Sequence, residues 1–570
     1  MRSYISGQSP RQETFLPPCL EDVIAQENPV RFIAAFVDSL NLRELGFTRT
    51  IPAQTGRPPY SPRTMLKLYV YGHMNRIRSS RMLERECGRN IELWWLLENL
   101  RPDHNTIAIF RAMNRKAVLK VFRLFVRLCA ELGLCGKERV CVDGTTVKAV
   151  NGMDAATSME LSQKKLEYAK KQLALVEKYL SGMDESDKLD QGRLNQPFAL
   201  DIDPAHLPDP EGLKQRIAFH EQCIREMEER HETQLTFTDP DARMMPSKRG
   251  GLKVCYNVQT ATDPQSHMIT GFVVSNHSND MNLLHDTVNE ARENLGAQAI
   301  CATADKGYES RLDIEKCVLD GVMPDVGFRY DREERVLNLD YIPREITDEM
   351  KASERPEDIR ACLHAGVLPG CYADTNLRVE LQRQTVESCF IRHGDGSVTC
   401  PMGKLLVFQG NKKNGTVYGS KEACRCCPNR CTDGKTFKTV KFGPNTRYVP
   451  VRMYGSPRHP LQQIPDVNQP DHYHAYGRVR HAPARVMLFI RRDKDKQRER
   501  MQTSEHPFGT IKHYDGAGYF LCRGKEKVAA ETALMYLSYD IRRAIVLAGG
   551  VQKLIALFQS RMRSGIPVSK

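Results

Sequence analysis

The chain of 570 residues lacks the long apolar runs that a membrane-spanning helix requires. Residues 121–134 are interrupted by two arginines, and residues 544–558 by two glycines and a lysine, whereas a span needs roughly 18 apolar residues without charge. The first twelve residues are polar and contain no apolar core of a secretion signal. We therefore expect a cytoplasmic protein that makes no membrane contact.

Internal repeats and long low-complexity tracts are also missing. With 41% hydrophobic and 27% charged residues, the composition is that of a globular protein and excludes collagen, rods and wholesale disorder. The length predicts roughly two to four domains. The excess of 83 Lys and Arg over 70 Asp and Glu gives a net charge of +13, which favours a polyanionic partner, nucleic acid first.

Residues 61–134 show helical periodicity with interspersed arginines. The Ser79–Ser80 step is suited to begin a second helix, in a helix-turn-helix-like arrangement. We predict a helical, basic, DNA-binding domain over residues 1–135. Its candidate DNA contacts are Arg76, Arg78, Arg81 and Arg85. A pair of solvated amphipathic helices is the alternative.

The next segments alternate like strands, and their order indicates an α/β fold. Asp143 follows an apolar run and is predicted to end its strand at Gly144. Residues 252–263 and 267–278 resemble a hairpin with a turn at Asp263-Pro264, followed by a helix over 280–295, a strand ending at Asp305, and a strand over 321–328. This is the layout of a ribonuclease-H-like mixed sheet with flanking helices, in which both acids lie on adjacent central strands. We assign it to residues 136–330 and 485–570.

Two insertions interrupt this predicted domain. Helical patterns at residues 158–179 and 211–232 indicate a helical hairpin within residues 152–250, and a surface arm packing only on itself is the simpler interpretation. Residues 331–484 are irregular and rich in cysteine, so they are predicted to be a Cys-rich, zinc-ribbon-like insertion. Helical periodicity then resumes from residue 485, after which the chain should pack back on the sheet.

Three acidic side chains are candidates for chemistry. An Asp before a turn is usually punctuation, but Asp143 and Asp305 share the same setting, and carboxylates are the hard oxygen ligands that Mg²⁺ prefers. Glu505 precedes Lys512 by seven residues, so both would lie on one helix face. Because Pro507 is tolerated in a first turn, we expect Glu505 there. Taken alone, Glu505 is an ordinary solvated residue.

Together these residues resemble a DDE transposase of a bacterial insertion sequence, in the branch with a long, cysteine-bearing insert before the Glu. The likeness rests on the trio of acids, the spacing to Lys512, and the segments "GRPPYSPRTMLKLYVYGHMNRIRSSRMLERECGRN", "PDHNTIAIFR", "YNVQTATD" and "RGKEKVAAETALMYLSYDIRRA". Such enzymes often carry a Tyr and an Arg before the Glu. Here the Tyr is absent, and Arg500 is one position away from the usual place.

The resemblance implies that the protein cleaves double-stranded DNA at the ends of its element and joins these ends to target DNA. It also implies that the protein acts as a homodimer on DNA and is associated with the bacterial nucleoid. Asp143 would bridge two Mg²⁺ or Mn²⁺ ions about 3.5–4 Å apart, Asp305 and Glu505 would complete their shells, and Lys512 would bind a phosphate. A decayed DNA-binding protein and a ribonuclease-H-like nuclease without strand transfer are the alternatives.

A cysteine cluster is separate from these acids. Cys400, Cys424, Cys427 and Cys431 have the spacing of a structural zinc site. A set that uses Cys426, or reduced thiols without metal, remain open as alternatives. No His accompanies the cluster in a nucleophile motif, so a catalytic thiol is not expected.

Basic residues near Glu505 complete the candidates. Nine Lys and Arg face three acids over residues 478–500, and such a run could follow a phosphate backbone, although a solvated loop would look the same. The candidate DNA contacts in this run are Arg491, Arg492 and Arg500, and Lys148 is a further candidate elsewhere in the chain. His277, Asn279 and Asp280 resemble a helix start, which we prefer to a metal site.

Overall fold

The computed structural model describes residues 19–51, 58–189, 208–247, 250–328, 333–342, 344–383, 390–392, 397–400, 404–412, 415–427, 437–442 and 483–563. The chain divides into two compact units, the first made of residues 1–296 and 499–570 and the second of residues 297–498. Within the described ranges, no helix is both long enough and apolar enough to cross a membrane.

In the described part of the chain, seven helices precede the first strand, and strands and helices are interspersed after it. The α-helices are α1 Leu20–Val23, α2 Pro29–Ser39, α3 Pro62–Met74, α4 Ser80–Cys87, α5 Ile91–Leu96, α6 His104–Met113, α7 Arg115–Glu131, α8 Met159–Leu189, α9 Pro210–Glu229, α10 Leu284–Leu295, α11 Arg311–Leu319, α12 Asp348–Ala352, α13 Pro356–His364, α14 Lys421–Arg425, α15 Lys494–Gly509, α16 Lys525–Ala548 and α17 Val551–Arg563. The strands are β1 Arg139–Lys148, β2 Ala156–Ser158, β3 Gln234–Thr236, β4 Arg243–Pro246, β5 Leu252–Thr262, β6 Ile269–Ser275, β7 Ile300–Ala304, β8 Val322–Val326, β9 Glu334–Asp340, β10 Leu377–Arg383, β11 Ile391–Arg392, β12 Val398–Thr399, β13 Leu405–Lys412, β14 Gly415–Gly419, β15 Thr439–Phe442 and β16 Pro483–Arg491.

The amino-terminal helices begin where local chemistry favours a start. Asn28 and Ser61 accept hydrogen bonds from first-turn amides of α2 and α3, and a proline follows each cap. Phe36 of α2 packs edge-on against Phe125 of α7 and Phe558 of α17, with ring centroids 5.2 and 6.0 Å apart. The predicted helical segment is observed, and this aromatic cluster joins it to the end of the chain.

The predicted second helix of this segment begins at Ser80, as expected, although the Ser79 side chain makes no capping hydrogen bond. The turn between α3 and α4 is tight. A Cβ on Gly72 would lie 2.6 Å from the Ile77 carbonyl oxygen, and Arg76 adopts a φ of 63°. The turn therefore requires the glycine and holds Arg76 in the left-handed region.

The sheet of the first unit is antiparallel where the sequence predicts it. Strand β5 pairs with β1 on one side and with β4 and β6 on the other. The turn between β5 and β6 is closed by the Asp263 carboxylate, which accepts a hydrogen bond from Ser266 N at 2.8 Å. The hairpin prediction is confirmed.

Strand β1 corrects the prediction for Asp143. The strand does not end at Gly144 but continues to Lys148, and Asp143 lies in its interior, opposite Thr260 of β5. Gly144 does not end the strand. Glycine is required there because a Cβ would lie 2.4 Å from Asp280 Oδ1 and 2.6 Å from Gln259 Nε2.

Helices cover both faces of this sheet. Gly271 of β6 leaves room for Ala291 of α10, since a Cβ on the glycine would lie 2.6 Å from the Ala291 amide nitrogen. On the other face, Tyr536 of α16 hydrogen-bonds Thr260 at 2.8 Å and packs edge-on against Phe272. The prediction that the end of the chain packs back on the sheet is therefore borne out within the first unit.

The helical patterns before β5 form α8 and α9, which pack through Ala169, Val176 and Leu213. That they constitute an insertion remains a prediction. The expected helix start at His277, Asn279 and Asp280 is wrong: α10 begins at Leu284 and is preceded by Leu283, whose side chain provides no cap.

The second unit contains more regular structure than the sequence suggested. Strands β7 and β8 are parallel, and β16 pairs antiparallel with both β9 and β10. The helical periodicity expected from residue 485 thus begins only at α15, and the predicted boundary at residues 484–485 falls inside β16. Strands β11 to β15 form a further sheet around Phe390, Val398, Leu406, Tyr418 and Val440.

Candidate active site

In the first unit, β1 and the chain from Glu499 to Lys512 are joined by a series of contacts. Arg139 and Glu499 form an ion pair at 2.7 Å. Further along β1, the Thr146 carbonyl accepts a hydrogen bond from Lys512 Nζ at 2.7 Å. The carboxyl-terminal part of α15 therefore lies beside the strand that carries Asp143.

Asp143 is half-buried and faces a cation. Its Oδ1 accepts a hydrogen bond from Gly144 N at 2.9 Å, and its Oδ2 lies 3.5 Å from Arg500 Nη1. Arg500 itself is only 9% exposed. An opposite charge so close stabilises the ionised carboxylate that a metal ion would need.

Glu505 lies late in α15, and the prediction that it sits in the first turn is wrong. The helix begins at Lys494 and contains Pro507 in its interior. A π-helical turn over Thr510–Tyr514 follows three residues after the proline, and there the α-helical hydrogen-bond pattern changes.

Burial explains which way Glu505 faces. Arg500, Thr503, Ser504 and Pro507 are buried, a spacing of three and four residues that marks the inward side of the helix. Glu505 lies on the opposite side of the helix and is exposed. Its carboxylate is therefore presented to solvent, away from the buried side of α15.

Lys512 is fixed by the strand. Its Nζ donates to the Thr145 hydroxyl and to the Thr146 carbonyl, which lie two and three residues after Asp143. The two contacts place this ammonium group beside the half of β1 that follows the aspartate. A lysine so held is a preorganised point charge for an anion.

Asp305 belongs to the second unit and directly follows β7, as predicted. Its Oδ1 accepts a hydrogen bond from Gly307 N at 2.7 Å, which caps a short 3₁₀ turn. Gln497 donates to the carbonyl oxygens of Ala304 and Asp325, at 3.2 and 2.8 Å. These bonds fix the backbone on which Asp305 stands.

The three acids are not gathered into a metal cluster. Among the residues that the structure describes, no three His, Cys, Asp or Glu side chains lie close enough together to hold a metal ion. Asp143 and Glu505 lie in the first unit and Asp305 in the second. Their shared pocket remains a prediction.

Sequence reasoning missed a polar cluster on the other face of β1. Asp280 Oδ1 accepts hydrogen bonds from Asn257 Nδ2 at 2.8 Å and Gln259 Nε2 at 2.6 Å, and it lies against Gly144. Both amide side chains are buried. The signal was available: two amide residues at alternate positions of an otherwise apolar strand share one face and need a buried partner.

Cys141, two residues before Asp143, is not a nucleophile. Burial raises the pKa of its thiol to about 11. The thiol is therefore protonated at neutral pH.

The candidate DNA-binding residues divide by exposure. Arg78 is buried and donates to the carbonyl oxygens of Tyr519 and Gly516, which is at odds with a place on a DNA-binding surface. Arg500 is likewise buried, against Asp143. These two are corrected to internal roles because their guanidinium groups are engaged inside the first unit.

The remaining candidates have accessible side chains. Arg76, Arg81, Arg85 and Lys148 are exposed in the first unit. In the second unit Arg491 is exposed and lies 4.0 Å from Glu333, and Arg492 is half-buried. Their contact with DNA remains a prediction.

The predicted zinc ligands are partly described. Cys400 packs against the apolar cluster of β11–β15. Cys424 lies in α14, and Cys426 and Cys427 follow directly after that helix. Cys431 lies outside the described residues. Zinc binding is therefore untested by the geometry.

Comparison with protein families agrees with the sequence resemblance. A model of a transposase domain of the DUF772 type matches residues 18–113, and a model of the transposase DDE domain matches residues 227–351. The two matches support the resemblance to a DDE transposase of an insertion sequence. The DDE match contains Asp305, whereas Asp143, Glu505 and Lys512 lie outside it. A search of curated proteins finds no match to this chain.

The DDE match bears on the fold and the chemistry. A DDE domain implies a ribonuclease-H-like fold, and the mixture of helices with antiparallel and parallel strand pairs agrees with it. DDE transposases act on DNA and use divalent metal ions. The two matches therefore support a transposase enzyme class.

Proposed function

We propose that this transposase cleaves DNA at the ends of its mobile element and joins them to target DNA by Mg²⁺-dependent phosphodiester transfer. Asp143, Asp305 and Glu505 would hold two Mg²⁺ or Mn²⁺ ions, and Lys512 would bind a phosphate of the element end. The observation that carries the proposal is the run of contacts joining β1 to the chain from Glu499 to Lys512. These contacts hold Lys512 beside the strand that carries Asp143, and Glu505 lies on the adjoining helix.

The donor groups fit a divalent metal. Asp143 and Asp305 are half-buried and Glu505 is exposed, so their oxygens are accessible, and hard carboxylate oxygens suit Mg²⁺ and Mn²⁺. Bound there, the ions would supply the polarisation that activates a water or 3′-hydroxyl and stabilises the leaving oxygen. Three crowded carboxylates repel one another without such a counter-charge.

Arg500 gives the chain a counter-charge of its own. Its guanidinium lies 3.5 Å from Asp143 Oδ2 and so places an opposite charge beside that carboxylate. We propose that Arg500 orients Asp143 from within the unit. This role replaces the DNA contact predicted from sequence.

Lys512 would act on the substrate. Its ammonium group, held by Thr145 and Thr146, is a compact charge that suits a phosphate oxygen. A phosphate bound there would be oriented relative to Asp143 on the same strand. Such positioning is a large part of catalysis in phosphoryl transfer.

DNA binding would use the exposed basic residues Arg81, Arg85, Lys148 and Arg491, together with the half-buried Arg492. Phosphate contacts of this kind position a protein on the duplex without reading sequence. We expect a homodimer on DNA, because two element ends are handled together. The family match of residues 18–113, which contain α4, supports an element-binding role for that segment.

A strand-transfer assay tests the proposal. Purified protein is incubated with Mg²⁺, labelled element ends and a target plasmid, and the products are resolved under denaturing conditions. Joined products support the transposase reaction. Binding without cutting supports the decayed DNA-binding protein, and cutting without joining supports the nuclease.

A structural zinc ion is a separate proposal for the cysteine-bearing sheet. The core of β11–β15 contains only a few buried side chains, and such small modules usually need a metal or disulfide to be stable. Elemental analysis should find one zinc per chain in the wild type and none in Cys424→Ser. A wild-type protein that is stably folded without zinc would contradict the proposal.

A further inference from the structure

A turn of the amino-terminal segment contacts the loop that carries Lys512. We call residues 75–79, between α3 and α4, the arginine turn, and residues 510–523, between α15 and α16, the Lys512 loop. Both lie in the first unit, and the two arginines of the turn were candidates for DNA binding on charge alone. Their side chains contact the loop.

Arg78 holds the backbone of the loop. Its Nη1 donates to the Tyr519 carbonyl at 2.8 Å and its Nη2 to the Gly516 carbonyl at 3.2 Å. The guanidinium also lies over the Tyr519 ring, 4.7 Å from the centroid. A forked donor that satisfies two carbonyls fixes the path of the chain between them.

Arg76 holds the loop through an aromatic ring. Its guanidinium lies 3.7 Å from the centroid of Tyr514, two residues after Lys512. Arg76 itself is exposed, so the contact is a surface cation–π interaction. Its left-handed backbone is part of the tight turn that directs it there.

Helix α16 ties the turn and the loop together. Arg542 donates to the Met74 carbonyl at 3.0 Å and to Asp515 Oδ2 at 2.5 Å. The fully buried Glu531 accepts a hydrogen bond from Cys522 N at 2.9 Å and lies 3.6 Å from Arg78 Nη1. The network thus spans three segments that are far apart in sequence.

The opposite side of the loop is bonded to the end of β1. Lys148 N donates to the Gly518 carbonyl at 3.2 Å, and Phe520 N donates to the Lys148 carbonyl at 2.8 Å. The loop therefore has bonds to β1 on one side and to the arginine turn on the other. Lys512, whose own contacts are also on β1, depends on both.

We propose that the arginine turn positions Lys512 for its phosphate, so that the amino-terminal segment contributes to the chemical step in addition to any binding of DNA. Arg76 and Arg78 are positioning residues, since they act through the loop. The inference rests on the proposed role of Lys512.

Hydrogen exchange tests the structural half without requiring activity. The variants are Arg76→Gln and the pair Arg78→Met with Glu531→Gln, which avoids leaving a buried charge unpaired. Arg63→Lys is the matched control, because Arg63 donates to the carbonyls of Val37 and Leu40 instead. Amide exchange in peptides covering residues 510–523 should accelerate about two- to fivefold in Arg76→Gln, more in the pair, and not in the control. Unchanged exchange in Arg76→Gln would overturn the proposal even if the paired variant did not fold.

A double-mutant cycle tests the functional half. Arg76→Gln, Lys512→Met and their combination are compared by the cleavage rate on saturating element ends. Misplacement of a catalytic group by about 1 Å can lower the rate up to roughly 100-fold. Arg76→Gln should therefore lower the cleavage rate measurably when Lys512 is present, but should not lower it further in the Lys512→Met background. Penalties that multiply would overturn the proposal. So would a reduced salt slope of DNA binding in Arg76→Gln, which would make Arg76 a phosphate contact. If the wild type does not cleave, the proposed function fails, whereas the exchange result still decides whether the turn holds the loop.

Discussion

The contact between β1 and α15 and the exposed side of α4 both carry arginines, but the two regions differ in what surrounds the charge. Arg500 is buried against Asp143, whereas Arg81 and Arg85 are exposed on α4. A buried guanidinium orients one partner, while a solvated one contributes to a field that acts on any polyanion. We therefore expect variants of the first region to change the chemical step and variants of the second to change DNA affinity.

The largest effect should come from Asp143→Asn. The substitution removes the charge of a proposed metal ligand and the partner of Arg500, so cleavage should fall by at least about 10²- to 10³-fold. End binding, measured by gel shift in Ca²⁺, should stay within about twofold because the proposed phosphate contacts are other side chains.

Asp154→Asn is the control for this variant. Asp154 is an exposed residue of a short 3₁₀ turn, and its variant should cleave at the wild-type rate. If Asp143→Asn lost binding together with cleavage, the two regions would not be separable.

Gly144→Ala should have the next largest effect, on stability. The added methyl group would collide with Asp280 and Gln259, and overpacking of this kind costs about 1–3 kcal/mol in the free energy of unfolding. Urea denaturation measures the change. Gly152→Ala, where a Cβ meets nothing within 4 Å, should stay within about 0.5 kcal/mol of the wild type. Equal stability of both variants would show that the cluster beside β1 can rearrange.

The smallest expected effect is that of Arg81→Gln with Arg85→Gln. Loss of two phosphate contacts should weaken end binding roughly tenfold and lower the slope of log affinity against log salt by about 2. The cleavage rate at saturating DNA should not change. A slower rate at saturation would show that α4 also acts on the chemical step.

Sequence reasoning located the elements better than it located the side chains within them. The hairpin at Asp263 and the strand before Asp305 follow from alternation and turn residues, which are local signals. Asp143 was placed at a strand end because Asp-Gly usually ends a strand, but Gly144 is there for packing against Asp280, a residue 136 positions away along the chain. Such a partner has no local signature.

The helix that carries Glu505 illustrates a second limit. Pro507 was expected to lie near a helix start, whereas α15 accommodates it late. Tertiary contacts outweigh the local preference, since Arg500, Thr503 and Ser504 on the preceding turns are buried. The arginines show the same limit, because one-dimensional charge patterns do not distinguish Arg78, which bonds residues more than 400 positions away, from Arg81.

The π-helical turn at Thr510–Tyr514 contains Lys512, so the number of residues between Glu505 and Lys512 is constrained. Each residue of an α-helix advances the chain by about 100°, so a deletion of one residue here would point the ammonium group of Lys512 away from Thr145 and Thr146. Descendants of this gene can therefore exchange residue types along the stretch far more readily than they can change its number of residues.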